Sequence, residues 1–385
     1  MTVTDPGSQS ELRASNRQRI VALLRSRGPM TQADLARASG LSPATISSLA
    51  RELRDDDWLE DGGAGRGTAL ALSRSAGVAV GIDFGHSHVR VVIADLAHTI
   101  LAEEEEPLDV DHAAVEGIAL AGRLVRLLLE DVGAERSRVA GVGMGLPGPL
   151  RRETGEIGDS AILPGWIGTR PETLMQAELD LPVRVENDAN LGALAECVWG
   201  AGRDCSEVLY VKVATGVGGG LVLGGRLYGG HAGTAGEIGH MTIDETGPIC
   251  RCGNRGCLEA LAGGEAVLEP LRRRHGDDLT LRQAVALARV GDHGCRRVIG
   301  DAGRALGLAI AGACNLLAPE RVIVGGELAQ AGELLLEPLR AVVRRSAIAS
   351  TRDTQIVAGM LGERAEVLGT VALVLRESQR FVAEP

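Results

Sequence analysis

The sequence predicts an α/β protein with at least two lobes, preceded by a winged helix-turn-helix. Strand patterns alternate with helix patterns over about 300 residues of the chain, which is typical of an α/β architecture. The beginning of the chain instead shows three helix patterns, then two strands around a glycine-rich turn. At 385 residues the chain is also longer than one compact core usually spans, so several domains are expected.

Composition and charge exclude several classes of protein. Hydrophobic residues make up 45% of the chain and aromatic residues only 2%, so Leu, Val, Ile and Ala must build the core. A net charge of -11 argues against a protein that coats nucleic acid, but it is compatible with a small DNA-binding face. The N-terminus lacks an apolar signal core and no apolar run could span a bilayer, so we expect a cytoplasmic protein without a membrane partner.

Residues 13–75 are predicted to form the winged helix-turn-helix domain, after a disordered polar tail at residues 1–12. Ile20, Leu23 and Leu24 form the apolar stripe of a first helix, which is expected to end at the following Gly-Pro pair. The two helices that follow this first helix are the candidates for contact with DNA.

Two further helices are predicted from their capping residues. Thr31, with Asp34 three positions later, resembles a capping box for a second helix, and Gly40 lies in the turn that follows it. Ser42 is expected to cap a third helix that has Pro43 at its first position. Short helices joined by a tight turn are typical of a helix-turn-helix motif.

The third helix is predicted to enter the major groove of DNA. Its inward face carries Ile46, Leu49 and Leu53, and its outward face carries Ala44, Thr45, Ser48 and Arg51. The segment "WLEDGGAGRGTALALS" predicts two strands around a turn, which would form the wing. Candidate phosphate contacts are Arg17, Arg19, Arg51, Arg54 and Arg66. The alternative is an ordinary three-helix packing module that does not bind DNA.

From residue 76 onward the chain alternates between strands and helices. The segment "GVAVGIDFGHSHVRVVIADLAHTILAEEEEPL" predicts consecutive strands, and "HAAVEGIALAGRLVRLLLEDVG" predicts an amphipathic helix. Further strands are predicted at "RVAGVGMGLPGPL", "VRVEND" and "RVIVGG", with a hairpin at "VLYVKVATGVGGGLVLGGRLYGG".

Three cysteines and a histidine lie close together in "GHMTIDETGPICRCGNRGCLEA". Three thiolates and one imidazole make a tetrahedral set that suits zinc, and four protein ligands indicate a structural site. The predicted ligands are His240, Cys250, Cys252 and Cys257. Gly253 and Gly256 would let the chain curl back toward the ion. One residue between the first two cysteines is tighter than the usual zinc spacing, and the alternative is a group of buried thiols without metal.

Eight motifs lie between about residues 80 and 375: "GIDFGHSH", "GMGLPGPL", "ILPGW", "VENDAN", "ATGVGGGLVLGGRLYGG", "GTAGEIGH", "CRCGNRGCLEA" and "NLLAPERVIVGG". With these motifs, this part of the chain resembles the ROK family of repressors and sugar kinases. The resemblance implies a two-lobed, actin-like sugar-kinase fold over residues 76–385, with the ligand in the cleft. Lobe one would comprise about residues 76–186 and 363–385, and lobe two about residues 187–362. With the helix-turn-helix in front, the whole chain is similar to the transcriptional regulators of this family.

The resemblance also implies which residues bind zinc and sugar. The zinc ligands are the four residues above, and the sugar contacts are Asn187, Asp188, Glu237, His240 and Glu259. The metal would then hold the loop so that Glu259 and the His240 ring face the sugar. Carboxylates and amides independently suit the hydroxyl groups of a sugar. Pro147, Gly148 and Trp166 are expected to line the cleft. The alternative role for Glu186, Asn187 and Asp188 is to cap the helix that follows.

Kinase chemistry stays open at this stage. Asp188 matches the general base of the family kinases. The residues that match the nucleotide loops are Asp83, Gly85, Ser87, Thr215, Gly216 and Gly218. His86 and His88, however, stand where the kinases have a glycine and a lysine, and an imidazole there would obstruct a phosphate.

Three functions are therefore compared. The first is a sugar-responsive regulator that binds operator DNA as a homodimer or homotetramer. The second is an ATP-dependent sugar kinase that carries a DNA-binding domain. The third is a regulator whose cleft has lost sugar binding and responds to a protein partner.

Overall fold

The computed structural model describes residues 9–27, 29–62, 69–73, 76–109, 111–158 and 163–377. The predicted turn of the wing, with Arg66, lies outside these residues. Among the helices of the described part of the chain, none combines the length and apolarity that crossing a bilayer requires.

The N-terminal domain has three helices and a small antiparallel sheet of strand order β1-β3-β2. Its helices are α1 (Gln9–Arg27), α2 (Gln32–Ser39) and α3 (Pro43–Asp55). Its strands are β1 (Met30–Thr31), β2 (Leu59–Asp61) and β3 (Ala69–Leu72). Helix α1 begins at Gln9, four residues before the predicted start of this domain at residue 13.

The predicted caps of this domain are confirmed. The Thr31 hydroxyl accepts a hydrogen bond from the Asp34 backbone N–H at 3.2 Å, and the Ser42 hydroxyl accepts one from the Thr45 backbone N–H at 3.1 Å. Gly40 ends α2 with φ 70, in the left-handed region that favours glycine. Ile46, Leu49 and Leu53 of α3 are buried, as their spacing predicts.

The first large sheet has the strand order β6-β5-β4-β7-β8. Strands β4, β7 and β8 are parallel; β5 pairs antiparallel with β4, and β6 pairs antiparallel with β5 at the edge of the sheet. Parallel strands end at the same edge, so the residues that follow them lie together. The strands are β4 (Val78–Phe84), β5 (His88–Asp95), β6 (Ile100–Pro107), β7 (Val139–Leu146) and β8 (Val183–Asn187).

The second large sheet has the strand order β11-β10-β9-β12-β13. Its strands are β9 (Val208–Val213), β10 (Val217–Leu223), β11 (Arg226–Leu227), β12 (Arg321–Gly325) and β13 (Gln355–Ala358). Strands β9 and β10 form the predicted hairpin, and β12 pairs in parallel with β9. Strand β13 is an additional element, too short to give a recognisable pattern in the sequence.

Two helices, α6 and α12, pack against each other between the two sheets. Helix α12 lies on strands β4 and β7, and α6 lies on β9 and β10. The helices beyond the N-terminal domain are α4 (Ala114–Asp131), α5 (Pro171–Leu179), α6 (Asp188–Trp199), α7 (Glu259–Ala262), α8 (Gly264–His275), α9 (Leu281–Arg289), α10 (His293–Leu317), α11 (Glu333–Ser346) and α12 (Ala365–Glu377). This arrangement is the predicted two-sheet α/β fold, whereas the lobe boundaries stay a prediction.

Helix α12 approaches the first sheet very closely. A Cβ on Gly143 of β7 would lie 2.2 Å from the Thr370 carbonyl oxygen, so only glycine allows this contact. The side chains of Val367, Val371 and Val374 on α12 belong to the same hydrophobic cluster as the core of the N-terminal domain. The cluster therefore joins the N-terminal domain to the first sheet through α12.

Candidate functional site

A cavity of about 870 Å³ opens where strands of both large sheets end. Ligand pockets typically enclose roughly 300–1,000 Å³, so it can hold a small molecule. The five predicted sugar contacts line it: Asn187, Asp188, Glu237, His240 and Glu259. The residues matched to a nucleotide site line the same cavity: Asp83, Gly85, Ser87, Thr215, Gly216 and Gly218. The structure brings both sets together around one space, and their binding roles stay predictions.

Asn187 and Asp188 lie where strand β8 passes directly into helix α6. The Asn187 side-chain oxygen accepts hydrogen bonds from the backbone N–H groups of Ala189 and Asn190, at 2.9 and 3.3 Å. Its amide nitrogen donates to the Gly148 carbonyl at 3.2 Å. The capping role that was the alternative for Asn187 is therefore present, and it holds this residue rigidly at the cavity wall.

Asn190 is a cavity residue that sequence reasoning missed. Its amide nitrogen donates to Glu186 Oε1 at 2.9 Å, whereas its side-chain oxygen has no hydrogen-bond partner among the described residues. Only 3% of Asn190 is exposed, and it lines the cavity. A buried acceptor without a partner costs free energy, and a ligand hydroxyl in the cavity could donate to it. Its position inside the apolar helix "ANLGALAE" conceals this role in the sequence.

Glu259 is held by two donors. Its Oε2 atom accepts from the Val217 backbone N–H at 3.1 Å and from Arg251 Nη2 at 2.5 Å. Glu259 is the first residue of α7 and follows Cys257 by two positions, so the cysteine loop sets its location. Arg251 was considered only as the spacer between two cysteines, but it also lines the cavity and forms an ion pair with Glu259.

The His240 ring connects the cysteine cluster with the cavity. Its Nδ1 atom lies 3.7 Å from Cys250 Sγ, and its Nε2 atom lies 3.9 Å from Glu237 Oε2. Burial raises the pKa of Glu237, while His240 acts in the opposite direction. One ring nitrogen therefore faces the thiols and the other faces a carboxylate of the cavity.

The four predicted metal ligands have the spacing that one ion requires. The ligand atoms of His240, Cys250, Cys252 and Cys257 all lie within 4.8 Å of one another. The Sγ atoms of Cys252 and Cys257 are 3.7 Å apart. In a tetrahedral zinc site with bonds of about 2.3 Å, two sulfur ligands lie roughly 3.8 Å apart, so the cluster fits such an ion. Burial raises the pKa of Cys257 to about 12, so ionisation of this thiol costs free energy. A bound cation would stabilise the thiolate and offset that cost.

Glycine permits the fold of the cysteine loop. Gly256 has φ 65, and a Cβ there would lie 1.5 Å from the Asp244 carbonyl oxygen. Gly253 also has positive φ, and the Cys250 backbone N–H donates to the Asn254 carbonyl at 2.7 Å. The prediction that these two glycines let the chain curl back is therefore confirmed.

The prediction that Trp166 lines the cleft was wrong. Trp166 is fully buried in the first sheet's core, where its ring packs edge-on against Phe84 and its Nε1 atom donates to His112 Nε2 at 3.0 Å. Its neighbours Pro164 and Ile167 line the cavity instead. A tryptophan that follows a Pro-Gly pair can face either the core or the cavity, and the sequence does not distinguish these positions.

His88 lies close over Gly85, in the first of the two loops that were matched to a nucleotide site. Its imidazole lies so close over Gly85 that a Cβ on the glycine would be 2.1 Å from His88 Cε1. Burial lowers the pKa of His88, so the ring is neutral and offers no positive charge to a phosphate. The expectation that this imidazole would obstruct a phosphate is consistent with its position.

Negative charge dominates the cavity wall. Eight carboxylates line it: Asp83, Glu105, Asp188, Glu237, Glu259, Glu327, Glu363 and Glu366. Among the described residues of this wall, only four are arginine or lysine: Arg90, Lys212, Arg251 and Arg282. An excess of carboxylates repels a polyphosphate and suits a neutral ligand that is rich in hydroxyl groups.

Asp83 makes stability depend on pH. Burial raises its pKa to about 7, Lys212 acts in the opposite direction, and Glu366 and Asp188 raise it further. The unfolded chain loses this proton near pH 4, so the folded protein alone holds it between about pH 4 and 7. The resulting stabilisation is complete below that range and is lost as the pH rises through about 7.

Asp83→Asn is therefore expected to gain stability relative to wild type as the pH rises from 5 to 8. The gain should be on the order of 1 kcal/mol or more, because the amide needs no proton to remain neutral. Thermal unfolding at both pH values measures it. Asp278→Asn, at an exposed surface position, serves as the control. Equal pH dependence in wild type and Asp83→Asn would contradict a raised pKa.

The predicted DNA-contacting residues of α3 differ in exposure and in their contacts with other residues of the domain. Ala44 and Arg51 are exposed, and Arg51 has no ion pair with any described residue. Thr45 and Ser48 are half-buried; the Ser48 hydroxyl lies 3.2 Å from Arg13 Nη2 and donates to Glu52 at 3.3 Å. Among these four residues, Arg51 is thus the one that is positively charged, exposed and without an ion pair to a described residue.

Other predicted phosphate contacts already have partners inside the N-terminal domain: Arg17 with Asp56, Arg54 with Asp61, and Arg19 with the Ser39 carbonyl. These contacts are exposed or partly exposed, and surface ion pairs of this kind contribute about 0–1 kcal/mol. DNA phosphates could therefore replace them at little cost.

Comparison with known proteins gives matches over most of the chain. A family model described as the ROK family matches residues 79–377, and one described as a domain of unknown function, DUF7343, matches residues 13–73. The chain is 28% identical to the xylose repressor of Caldicellulosiruptor bescii, over 97% of this chain and 99% of the relative. It is 27% identical to the DNA-binding transcriptional dual regulator NagC of Escherichia coli, over 96% of each chain.

Two solved structures share the fold. A ROK family transcriptional regulator, a homolog of the E. coli MLC protein, has a TM-score of 0.81 and 25% identity, over 97% of this chain and 100% of that one. A ROK family glucokinase from Streptomyces griseus, in complex with glucose and AMPPNP, has a TM-score of 0.68 and 27% identity. The glucokinase covers 77% of this chain, and this chain covers 99% of the glucokinase.

Proposed function

Because this chain belongs to the ROK family, we propose that it is a sugar-responsive transcriptional regulator, which binds operator DNA through its winged helix-turn-helix domain. The relatives that match nearly the whole chain are repressors and a DNA-binding transcriptional regulator. The regulator of known structure covers 97% of this chain, whereas the glucokinase covers 77% of it. A chain that contains both a helix-turn-helix domain and a ROK domain is expected to couple ligand binding in the cleft to DNA binding.

The observation that carries the sugar assignment is the wall of the cleft. Asn187, Asp188, Glu237, His240 and Glu259 surround one cavity, and each offers polar atoms suited to hydroxyl groups. The excess of carboxylates favours a neutral sugar over a sugar phosphate. The names of the relatives, which include a xylose repressor and an N-acetylglucosamine repressor, point to pentoses and amino sugars as the first compounds to test.

Zinc is the metal that best suits the cysteine cluster. Its proposed ligands are His240, Cys250, Cys252 and Cys257, and soft thiolates with an imidazole favour zinc over oxygen-preferring ions. A closed set of four ligands leaves no position for substrate, so the metal would hold structure. Its effect would be to orient the His240 ring and the start of α7, where Glu259 lies.

A sugar kinase is the second candidate, because Asp188 is retained where family kinases have their general base. The cleft geometry argues against it. His88 lies over the first phosphate loop, and Asp188 accepts a hydrogen bond from Lys212 Nζ at 2.8 Å. A base that is already engaged by an ammonium group takes a proton from a hydroxyl less readily.

Sugar is expected to change the affinity for operator DNA by about 5- to 150-fold, the usual range of coupling between two sites. The operator would first be selected from random duplexes with the wild-type protein. Binding is then measured by fluorescence anisotropy with xylose, glucose and N-acetylglucosamine. The coupling requires that sugar and DNA prefer different arrangements of the protein.

Equal DNA affinity with and without every sugar that binds would contradict this function. Phosphate transfer from ATP to sugar, lost in Asp188→Asn, would identify a kinase instead. Intact DNA binding without any sugar-induced thermal shift would favour a regulator that answers to a protein partner. We expect a cytoplasmic homodimer or homotetramer, since paired DNA-binding domains suit palindromic operators.

A further inference from the structure

A second group of metal-ligating side chains lies outside both the cleft wall and the cysteine cluster. It consists of His275, Asp292 and Cys295, and one ligand atom from each lies within 4.8 Å of the other two. The His275 Nε2 atom is 3.6 Å from Asp292 Oδ2 and 4.0 Å from Cys295 Sγ. An imidazole, a carboxylate and a thiol therefore face one point.

The ends of two helices bring these side chains together. His275 is the last residue of α8, and Asp292 caps the start of α10. Asp292 Oδ1 accepts a hydrogen bond from the Cys295 backbone N–H at 2.9 Å, and this leaves Oδ2 facing His275. Gly276 and Gly291 form the adjoining turns with φ 95 and 109, a backbone conformation that favours glycine. The local fold thus places all three ligand atoms.

The distances and the burial suit an ion such as zinc. In a tetrahedral site, nitrogen and oxygen ligands lie roughly 3.4 Å apart, and nitrogen and sulfur ligands roughly 3.6 Å apart. The observed separations are slightly longer, so small side-chain rotations would close them on an ion. The side chains of His275 and Asp292 are 15% and 11% exposed, and Cys295 is fully buried, as is Cys257 of the cysteine cluster. Water screens charge little at such a place, so a thiolate and a carboxylate would bind a cation strongly.

The alternative is a simple ion pair between His275 and Asp292. An ion pair accounts for the carboxylate but not for the Cys295 thiol beside the same ring nitrogen, because a thiol is only a weak hydrogen-bond partner. Arg274 Nη2 also approaches Asp292 Oδ2, at 3.7 Å, but the Arg274 side chain is 73% exposed. Such a surface contact can be exchanged for water at little cost, so it does not prevent an ion from binding.

We propose that His275, Asp292 and Cys295 form a second zinc site, which joins the end of α8 to the start of α10. Mixed nitrogen, oxygen and sulfur ligands suit zinc, and a water molecule would complete the tetrahedron. With three protein ligands, the site should hold its ion less tightly than the four-ligand cysteine cluster, so dialysis should empty it. The ion would close the segment that contains α9, whose Arg282 lines the cleft. This inference goes beyond the proposed function and does not depend on it.

The test is zinc uptake by the full chain, without an affinity tag and after dialysis. Isothermal titration should show that wild type binds one further Zn²⁺ per chain. His275→Ala and Cys295→Ser should each weaken this binding by at least about 100-fold, because even the outer partners of a metal account for roughly 10- to 100-fold in affinity. Added Zn²⁺ should raise the Tm of wild type and not that of either variant, since only a ligand that binds the folded state stabilises it.

Two further variants separate loss of the ion from loss of structure. Cys314→Ser removes another fully buried thiol of α10 that lies outside the group, and it should take up zinc as wild type does. Asp292→Asn keeps a side-chain oxygen that can cap α10 but loses the carboxylate charge. Its helix content by circular dichroism should therefore equal that of wild type, while its zinc affinity should fall.

If Cys295→Ser does not fold, His275→Ala and Asp292→Asn carry the test, because these two side chains lie outside the hydrophobic core. The proposal is overturned if wild type takes up no further zinc, or if His275→Ala and Asp292→Asn bind it as tightly as wild type. The comparison is made between chains that share the same cysteine cluster, so it does not depend on the metal held there. It needs neither DNA nor sugar, so its failure leaves the regulatory function standing, and the reverse also holds.

Discussion

Cys252→Ser is expected to lose the metal and the sugar together. Cys252 is exposed, and its pKa is lowered by a hydrogen bond from the Asn254 backbone, so its thiol ionises more readily than the other two. A serine hydroxyl is a poor zinc ligand at neutral pH, and loss of a direct ligand should exceed the roughly 10- to 100-fold effect of outer partners. His240 would then lose the ion that orients its ring toward Glu237.

Three measurements on the same preparation check this expectation. Metal content per chain should fall from about one to near zero, because four ligands define one site. The Tm should fall by roughly 5 °C or more, since 1 kcal/mol moves it by about 2–4 °C in a domain of 150–250 residues. Sugar titration should show no binding. Cys205→Ser, at a half-buried thiol outside the cluster, is the matched control. Normal sugar affinity in a metal-free Cys252→Ser protein would contradict the proposal that sugar binding depends on the metal-bound cysteine loop.

Arg51→Ala is expected to weaken operator binding by about 10- to 100-fold, because one arginine contact to DNA is worth roughly 1–3 kcal/mol. Arg51 is exposed on α3 and has no ion pair with a described residue, so no internal contact has to break first. Its removal should leave the fold and the sugar affinity unchanged, because α3 buries the opposite face.

The salt dependence of binding identifies what Arg51 contacts. Loss of a phosphate contact reduces the slope of log K against log salt by about 1 and weakens all sequences alike, whereas loss of a base contact relaxes the sequence preference. Arg344→Ala removes an exposed arginine from α11, far along the chain, and should leave DNA binding intact. Operator affinity equal to wild type in Arg51→Ala would mean that α3 is not the recognition helix.

Local features of this protein could be predicted from the sequence because they depend on residues a few positions apart. The caps at Thr31 and Ser42 need only the backbone three positions later. The cysteine cluster needs two glycines and a short loop. The family motifs also predicted cleft residues that are distant from one another in the sequence, and all five predicted sugar contacts line one cavity.

Contacts between distant segments could not be predicted in this way. Lys212 meets Asp188 and Glu366 because β9, α6 and α12 pack around one point, and nothing near Lys212 in the sequence indicates this. Trp166 faces the core because the first sheet has room for it beside Phe84. The sequence did not indicate the role of Arg251 in the cavity, because the residues on both sides of it are predicted metal ligands.

Helix α12 has a consequence for how a ligand signal could leave the cleft. Its second residue, Glu366, contacts the Lys212 ammonium group, while Val371 and Val374 share a hydrophobic cluster with the DNA-binding domain. At 1.5 Å per residue, the 13 residues of the helix span about 20 Å. Because a helix keeps its length, a displacement of α12 along its axis at the ammonium end would also displace the residues that contact the N-terminal domain, for which we propose operator binding.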